Sequence, residues 1–415
     1  MTMPATAGES SLLDLRSFNP FGPHVARAYE FFAQARAHEP VFFSDSLNAW
    51  CLTRYEDVRR VAADATRFSS REAFPRPVGL PSAAQRVMDF LYDNPTLLLT
   101  DPPGHGPVRR IVHEGFSPRA VAGYEPHLRE IIEGLADQLV GRERFDLVRD
   151  FATTFPLLGA MRVLGFAPEH ADDLGRWVND LLTLLASWPF LDPDGLRAHG
   201  ESFAGAFDYL NQVIEQRRRH PADDLISFMV HNEVQGRRLA DVEIADVAVG
   251  VLAAGWETTG NALVSLISAL LAEPERWRTL VAGRIAVDAA IAEGLRYDMP
   301  ILGTFRRATE DVEIGGKTVR AGDAVVLLFA AANHDPAQFA QPSEFRLDRP
   351  RRPDMAFGHG VHNCVGAPLA KLELSIALEA LVARFPDLKL DDPDAPVTYK
   401  PMGQFKERTE LWLRP

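Results

Sequence analysis

The sequence predicts a mostly helical α+β protein in which β structure is confined to the two ends of the chain. Helical periodicity runs with few interruptions from Pro107 to about Leu271, whereas the alternation typical of strands occurs only before residue 54 and after residue 311. Strand and helix patterns do not alternate, which argues against a parallel dinucleotide-binding fold. The 415 residues exceed the usual length of one domain, but no repeat, low-complexity block or interdomain linker divides them.

The N-terminal part of the chain is predicted to contain a strand pair between two helices. We expect residues 1–17 to be disordered, and His24–Ala37 has helical spacing. Val41–Ser44 and Ala49–Thr53 alternate like two paired strands, and Tyr55–Ala63 returns to helical spacing. A proline-rich loop then runs from 74 to 103, interrupted by a short amphipathic piece at 83–91.

The middle and the C-terminal part are predicted from the same patterns. Breaks in the helical middle fall at 165–168, 188–195 and 220–224, and its longest run is Ala240–Leu271. The remaining predicted elements are a helix at 285–297, strands near 312–314, 318–320 and 325–329, an irregular stretch from 333 to 365, a helix at 367–385 and a strand at 409–413. Helix therefore dominates, and the strands are short.

Composition and charge limit the classes of partner. The net charge of −13 argues against nucleic acid or an anionic membrane as the main partner. The two cysteines, Cys51 and Cys364, fit a reducing compartment better than a disulfide-stabilised secreted protein. No secretory signal is visible, and no run reaches the roughly 18–20 apolar residues of a membrane span. We therefore expect a cytoplasmic protein.

The segment from Phe357 to Gly366 is the most informative part of the chain, because it places one cysteine in a glycine-rich loop just before an amphipathic helix. Glycines allow backbone N–H groups to approach the sulfur, and the positive end of the helix favours thiolate over thiol. Phe357 can shield the sulfur from water. The pattern suits an anionic sulfur ligand. One alternative is a buried structural cysteine; the other, a zinc site, lacks a second nearby cysteine and would have only His359 and His362.

This loop closely resembles the haem-binding signature of the bacterial cytochrome P450 family. The matching residues are Phe357, Gly358, Gly360, His362, Cys364 and Gly366. The resemblance extends from about Phe18 to Leu413 and implies a single triangular, mostly helical domain with small β-sheets, over residues 18–415. It also implies haem b (iron protoporphyrin IX) as cofactor, with Cys364 as the axial metal ligand and His362 at a haem propionate.

A pair of charged residues about seventy positions before Cys364 adds to the resemblance. Glu293 and Arg296 are three apart and share a helix face. By itself such a pair is most often a solvated surface pair. In this position it resembles the Glu-x-x-Arg pair of the family, with Arg349 as the expected partner. The implied role is structural: a buried charge network that holds the haem-binding loop.

The segment from Ala254 to Thr259 places a carboxylate beside a hydroxyl inside the longest predicted helix. The residues alone leave open whether this is the polar face of a core helix or a proton-handling site. By resemblance, Glu257 and Thr258 match the acid–alcohol pair that delivers protons during oxygen activation. Ala254 and Gly255 are then expected to face the haem, and Trp256 to point away from it.

Three basic residues are expected to contact the haem propionates. His105 and Arg109 are four apart near a predicted helix start, a good geometry for binding one anion. The family resemblance assigns both to a propionate, and Arg306 resembles the second propionate arginine. Gly106-Pro107 departs from the family pattern and favours a helix that begins after His105, with His105 displaced.

The resemblance implies a monooxygenase that uses dioxygen and two electrons to hydroxylate or epoxidise an apolar small molecule, with secondary-metabolite biosynthesis as the expected setting. The chain carries no flavin or dinucleotide fingerprint, so a separate ferredoxin or flavodoxin-like donor is expected, docking near Arg110 and Lys371. We expect a monomer. The alternatives are a peroxide-driven haem-thiolate enzyme, a haem-dependent sensor or gas carrier without turnover, and, least favoured, a thiol-based zinc or redox protein.

The expected substrate-pocket lining is largely apolar. It comprises the 74–98 loop, Trp188, Phe190, Val251, Ala254, Ile301, Leu302 and Met402. Core packing explains any one of these residues equally well.

Overall fold

The computed structural model describes residues 14–19, 25–71, 73–74, 76–94, 97–188, 191–233, 236–400 and 404–415. Residues 1–13 of the segment expected to be disordered lie outside this range, as do Phe190 and Met402. Residues 15–17 form a turn. Across the described part of the chain, no helix is both long and apolar enough to cross a bilayer.

Helices account for most of the described residues, as the sequence predicts. They are α1 Ala28–His38, α2 Tyr55–Ala63, α3 Ser82–Asp93, α4 His105–Gly115, α5 Pro118–Asp137, α6 Thr154–Leu164, α7 Ala171–Ser187, α8 Pro193–Arg219, α9 Leu225–His231, α10 Asp241–Leu271, α11 Pro274–Val281, α12 Val287–Tyr297, α13 Phe329–Ala332 and α14 Ala367–Arg384. The predicted mostly helical class is confirmed.

The strands are short, as predicted. They are β1 Val41–Ser44, β2 Ala49–Leu52, β3 Phe68–Ser69, β4 Phe145–Asp146, β5 Thr304–Ala308, β6 Val312–Ile314, β7 Lys317–Val319, β8 Ala324–Leu327, β9 Lys389–Leu390 and β10 Trp412–Arg414. A five-stranded sheet has the order β1-β2-β8-β5-β3, in which β2 and β8 are parallel and the other pairs are antiparallel. The two ends of the chain therefore share one sheet.

One strand lies where the sequence predicts continuous helix. β4 pairs with β10, which in turn pairs with β9, so the segment before α6 joins the C-terminal sheet. A π-helical segment, Val148–Ala152, follows β4 and also interrupts the predicted helix. The prediction was wrong here because a two-residue strand has no period of its own, and only its C-terminal partner defines it.

The longest helix, α10, runs through the larger of two hydrophobic clusters. Its 31 residues span about 46 Å, and most of them are buried. Gly260 permits close packing, since a Cβ atom there would lie 2.3 Å from the backbone oxygen of Ala152 in the π-helical segment. The second cluster joins α1, α2 and the five-stranded sheet and contains Cys51. Cys51 and Cys364 are both free thiols, so no disulfide links them.

The predicted charge network around Glu293 is present. Arg296 donates from Nε and Nη2 to the two Glu293 carboxylate oxygens, both at 2.8 Å, and Arg349 donates from Nε at 3.0 and 3.1 Å. The backbone N–H of Arg346 adds a bond of 2.8 Å. All three charged side chains are at most 9% exposed. The network ties α12 to the irregular stretch that leads to Cys364.

Candidate functional site

The loop before α14 has a conformation that its glycines permit. Gly358 and Gly360 have φ angles of +69° and +78°, in the left-handed region that side chains disfavour. At Gly360 a Cβ atom would also lie 2.3 Å from the backbone oxygen of Ala62, so the loop packs directly against the end of α2. The Cys364 N–H donates to the Phe357 carbonyl at 2.8 Å and closes the loop. These contacts hold Cys364 in place ahead of α14.

The Cys364 thiol is accessible although dense protein surrounds it. This desolvation raises the pKa of Cys364, while the backbone N–H groups of Gly366 and Ala367 and the charge of Arg109 oppose the rise. The expectation that the helix end favours thiolate is therefore met only in part, because desolvation outweighs it. A cation bound at the sulfur would lower the thiol pKa and favour the thiolate.

Two other signature residues lie close to this sulfur. A Cβ atom at Gly366 would approach the Cys364 Sγ to 3.9 Å, so the glycine leaves the space beside the sulfur open. The ring of Phe357 is half-buried, with the Lys371 Nζ 5.1 Å from its centre. Its shielding of the sulfur stays a prediction.

His105, His362 and Arg306 form a buried basic cluster. The two imidazole rings lie 4.5 Å apart, and the Nε2 atom of each is buried without a hydrogen-bond partner among the described residues. Arg306 is 4% exposed and donates from Nη1 to the Phe305 carbonyl at 2.7 Å. Buried polar nitrogens without partners are costly unless a ligand satisfies them. The cluster therefore fits an anionic group such as a haem propionate.

Burial also perturbs the protonation of this cluster. It lowers the pKa of Arg306 to about 10, against the charge of Asp101, and lowers the pKa of His362 to about 4, with Arg306 and His105 adding to the shift. Burial, followed by the charge of Arg109, lowers the pKa of His105 as well. The imidazoles are thus neutral near pH 7, and Arg306 carries the positive charge of the cluster.

The start of α4 differs from the prediction. The helix begins at His105 rather than after it, and His105 is buried beside His362. Pro107 is tolerated in the first turn, because the N–H groups there have no partner inside the helix. The predicted displacement of His105 was wrong.

Arg109 lies beside the cysteine loop and makes a contact that the sequence does not predict. Its Nη2 donates to the Asn363 carbonyl at 2.5 Å and to the Asn363 Oδ1 at 2.8 Å. Arg109 therefore fixes the residue before Cys364. Its predicted propionate contact remains a prediction.

The middle of α10 has an open face. Ala254 is exposed and Thr258 half-buried, although most of this helix is buried. The Thr258 hydroxyl donates to the Ala254 carbonyl at 2.7 Å. Trp256 turns to another side, where its Nε1 donates to the Thr153 carbonyl at 2.5 Å. A Cβ atom at Gly255 would lie 3.9 Å from the Cβ of Ala160 in α6; that Gly255 faces the cofactor stays a prediction.

Glu257 is buried near a residue that the sequence does not indicate. Glu257 and Glu407 line one small cavity, and burial, with the charge of Glu407, raises the pKa of Glu257 to about 8. Glu407 contacts the Nζ of Lys400 through Oε1. No local signal indicates this pairing, because the partners lie 150 positions apart and Glu407 belongs to no motif.

The structure narrows the expected substrate lining. Val251 and Ile301 are half-buried, but Leu302 is fully buried and borders no open space, so its assignment was wrong. Arg76, within the 74–98 loop, forms ion pairs with Asp89 and Asp93, each at 2.7 Å. As for the zinc alternative, no three His, Cys, Asp or Glu side chains are grouped as metal ligands in the described part of the chain.

Comparison with known proteins gives a consistent result. The family described as Cytochrome P450 matches residues 285–406. Cytochrome P450 107B1 of Saccharopolyspora erythraea is 34% identical over 354 residues, covering 83% of this chain and 84% of the relative. Mycinamicin IV hydroxylase/epoxidase of Micromonospora griseorubida is 35% identical over 351 residues, covering 83% and 84%. The crystal structure of P450BioI in complex with hexadec-9Z-enoic acid ligated acyl carrier protein superposes with a TM-score of 0.86 at 29% identity, covering 95% of this chain and 100% of that one.

Proposed function

This chain belongs to the cytochrome P450 family, whose members bind haem, and is a monooxygenase; on that premise we propose that Cys364 ligates the iron of haem b. The observation that carries the proposal is that the exposed Cys364 lies two residues after His362, which forms a basic cluster with the buried His105 and Arg306. A protein can hold haem b in two ways: a cysteine thiolate binds the iron, and basic side chains bind the two propionate carboxylates.

The remaining signature residues give the cofactor its space and hold its ligand in place. When bound, the haem supplies the redox chemistry that activates dioxygen, and the thiolate tunes it by electron donation. Gly358 and Gly366 keep side chains away from the loop and the sulfur, and Phe357 closes the loop through its carbonyl. Arg109 holds Asn363, and Ala254 keeps the open face of α10 free of bulk.

Glu257 and Thr258 are proposed as the catalytic pair. The raised pKa of Glu257 keeps a proton on its carboxyl at neutral pH, which suits a general acid. Thr258 is held by its bond to the Ala254 carbonyl and presents its hydroxyl oxygen at the open face as an acceptor for water. The presence of this pair favours a dioxygen-dependent monooxygenase over a peroxide-driven enzyme or a haem sensor.

The proposed reaction is hydroxylation or epoxidation of an apolar small molecule in secondary-metabolite biosynthesis. It is supported by the hydroxylase/epoxidase relative that acts on mycinamicin IV and by half-buried apolar residues such as Val251 and Ile301. Electrons come from a separate ferredoxin or flavodoxin-like protein. Arg110 and Lys371 are exposed, as a docking patch for an acidic donor requires. We place the enzyme in the cytoplasm as a monomer, and its two free cysteines fit a reducing compartment.

The absorption spectrum of the dithionite-reduced protein under carbon monoxide tests the assignment of Cys364. We expect a strongly red-shifted Soret band that is lost in Cys364→Ala. The matched control is Cys51→Ala, which removes the other thiol, buried in the second hydrophobic cluster, and should leave the band in place. A carbonyl band typical of histidine ligation, or a red-shifted band that survives Cys364→Ala, would remove Cys364 from this role. Substrate-dependent consumption of reduced nicotinamide, with a surrogate ferredoxin and its reductase, separates an enzyme from a sensor.

A further inference from the structure

Two buried carboxyl groups meet beside the catalytic helix. Glu257 lies in the middle of α10 and Glu407 in the C-terminal segment; they are 8% and 4% exposed. The C-terminal segment is held by backbone bonds from Lys400 N to the Glu407 carbonyl and from Lys406 N to the Pro300 carbonyl, both 2.8 Å. Two ionised carboxylates have no hydrogen-bond donor between them. A hydrogen bond between them therefore requires one proton.

The surroundings decide which carboxyl carries that proton. Lys400 Nζ forms an ion pair with the Glu407 Oε1, so the cation lies at Glu407 and we place the shared proton on Glu257. The Glu407 Oε2 is buried and finds no other donor among the described residues. A protonated Glu257 supplies that donor. Burial and the Glu407 charge both raise the pKa of Glu257, and the charge of Lys400 opposes them.

A small cavity and a partly exposed lysine adjoin the pair. A cavity of about 20 Å³ lies beside it, lined by both glutamates and, opposite them, by uncharged residues including Val148, Ala152 and Thr153. That volume is enough for one water molecule. Lys400, whose Nζ contacts Glu407, has 43% of its side chain exposed. Lys400 therefore connects Glu407 to solvent.

We propose that Glu407 is a positioning residue for Glu257, with which it shares one proton, and that it returns a proton to Glu257 from solvent beside Lys400 after each transfer. This inference rests on the proposed catalytic role of Glu257. When the Glu257 carboxyl gives up its proton, two adjacent carboxylates remain. Their repulsion draws one proton from hydronium or a buffer acid in the solvent beside Lys400 to Glu407 and on to Glu257; the conjugate base stays in the solvent, and the starting state is restored without moving electrons.

Infrared spectroscopy of the holoenzyme tests the shared proton without turnover. The wild-type protein should show the band of a protonated carboxyl at neutral pH, and this band should vanish as the pH rises through about 8. The band belongs to Glu257 if it is absent from Glu257→Gln. In Glu407→Gln, which keeps the size of the side chain but removes its charge, the band should vanish at a lower pH. Glu410→Gln is the control, because Glu410 is exposed on the same segment and bonded to the Trp412 Nε1. A band whose titration is the same in Glu407→Gln and wild type would overturn the inference.

Oxygen reduction tests the return of protons. The measured quantity is the rate at which reduced nicotinamide is oxidised through a surrogate ferredoxin and its reductase, without substrate. Only variants whose haem content and carbon monoxide spectrum match those of the wild type are compared. General acids contribute roughly 100-fold or more, so Glu257→Gln should slow oxygen reduction by about that factor. Glu407→Gln should slow it by about tenfold and raise the solvent isotope effect. Glu407→Asp should restore part of the rate, and Glu407→Gln should have no further effect in the Glu257→Gln background.

The outcomes separate this inference from the proposed function. A rate lost in Glu257→Gln but unchanged in Glu407→Gln overturns the role of Glu407 and leaves that of Glu257. A rate unchanged in Glu257→Gln overturns the catalytic role of Glu257, and the inference with it. An additive loss in the double variant would show that Glu407 acts independently of Glu257 and would also overturn the inference.

Discussion

Removal of the charge of Glu293 should destabilise the protein severely, because two guanidinium groups depend on it. Glu293→Gln keeps the side-chain size but replaces one acceptor oxygen with a donor group. Arg296 and Arg349 would then lie buried without a counter-charge, since the carboxylate now accepts from both at 2.8–3.1 Å. Breaking a buried ion pair by removing one partner costs about 3–5 kcal/mol. We expect the free energy of unfolding to fall by that amount.

Urea unfolding followed by far-UV circular dichroism and by haem absorbance measures the effect. With a slope of roughly 3 kcal/mol per molar, the midpoint should fall by about 1 M or somewhat more. Haem should be released before the helices unfold, because Arg349 anchors the stretch that leads to Cys364. Unfolding would then show two transitions instead of one, so the midpoints from circular dichroism and from haem absorbance are compared separately.

A surface pair provides the control for this experiment. Glu56 is bonded to Arg59 at 2.9 Å, three residues away on α2, with 71% of its side chain exposed. Glu56→Gln should leave the midpoints unchanged, because exposed ion pairs add little to stability. If Glu293→Gln unfolds at the same urea concentration as Glu56→Gln, the buried network does not stabilise the loop and the reasoning fails.

Two further predictions concern the cysteine loop and the pH dependence of stability. Gly360→Ala should abolish haem retention, because its Cβ would lie 2.3 Å from a backbone oxygen. Gly316→Ala, at the same φ of +78° but in open space, should bind haem normally. Equal haem content in the two variants would contradict the predicted clash. Burial lowers the pKa of His334 from its ordinary 6.5 to about 4, so the unfolded chain binds the proton more readily. Stability should therefore hold above pH 6.5 and fall between 6.5 and 4, with about 3 kcal/mol of the loss due to this group. In urea unfolding at a series of pH values, His334→Gln should make the loss of stability between pH 6.5 and 4 shallower. His113→Gln, which replaces an exposed histidine, should not. The same dependence of stability on pH in wild type and His334→Gln would count against this explanation.

Much of the fold and the position of the cysteine could be predicted from the sequence, because both depend on local patterns. The helix at Tyr55–Ala63 and the start of the strand pair at Val41–Ser44 follow from periodicity and have the predicted bounds. The glycines around Cys364 mark a loop whose left-handed backbone angles require them. Glu293 and Arg296 are close in sequence, so their pairing is visible there too.

Contacts between distant segments were decided by the tertiary structure alone. β4 is a strand only because β10 pairs with it, and Arg109 binds Asn363 only because α4 packs against the cysteine loop. Leu302 resembles a pocket residue in sequence yet is buried in the core.

The protonation of the site depends on such contacts as well. The sequence indicates that Glu257 is an acid beside a hydroxyl, but its pKa of about 8 comes from burial and from Glu407, 150 positions away. Likewise, the sequence predicts the helix start beyond Cys364, but it does not predict the desolvation that raises the pKa of the Cys364 thiol. Periodicity and glycine placement act within a few residues, so the sequence determines them. Desolvation and charge pairing depend on distances through space, which only the folded chain sets.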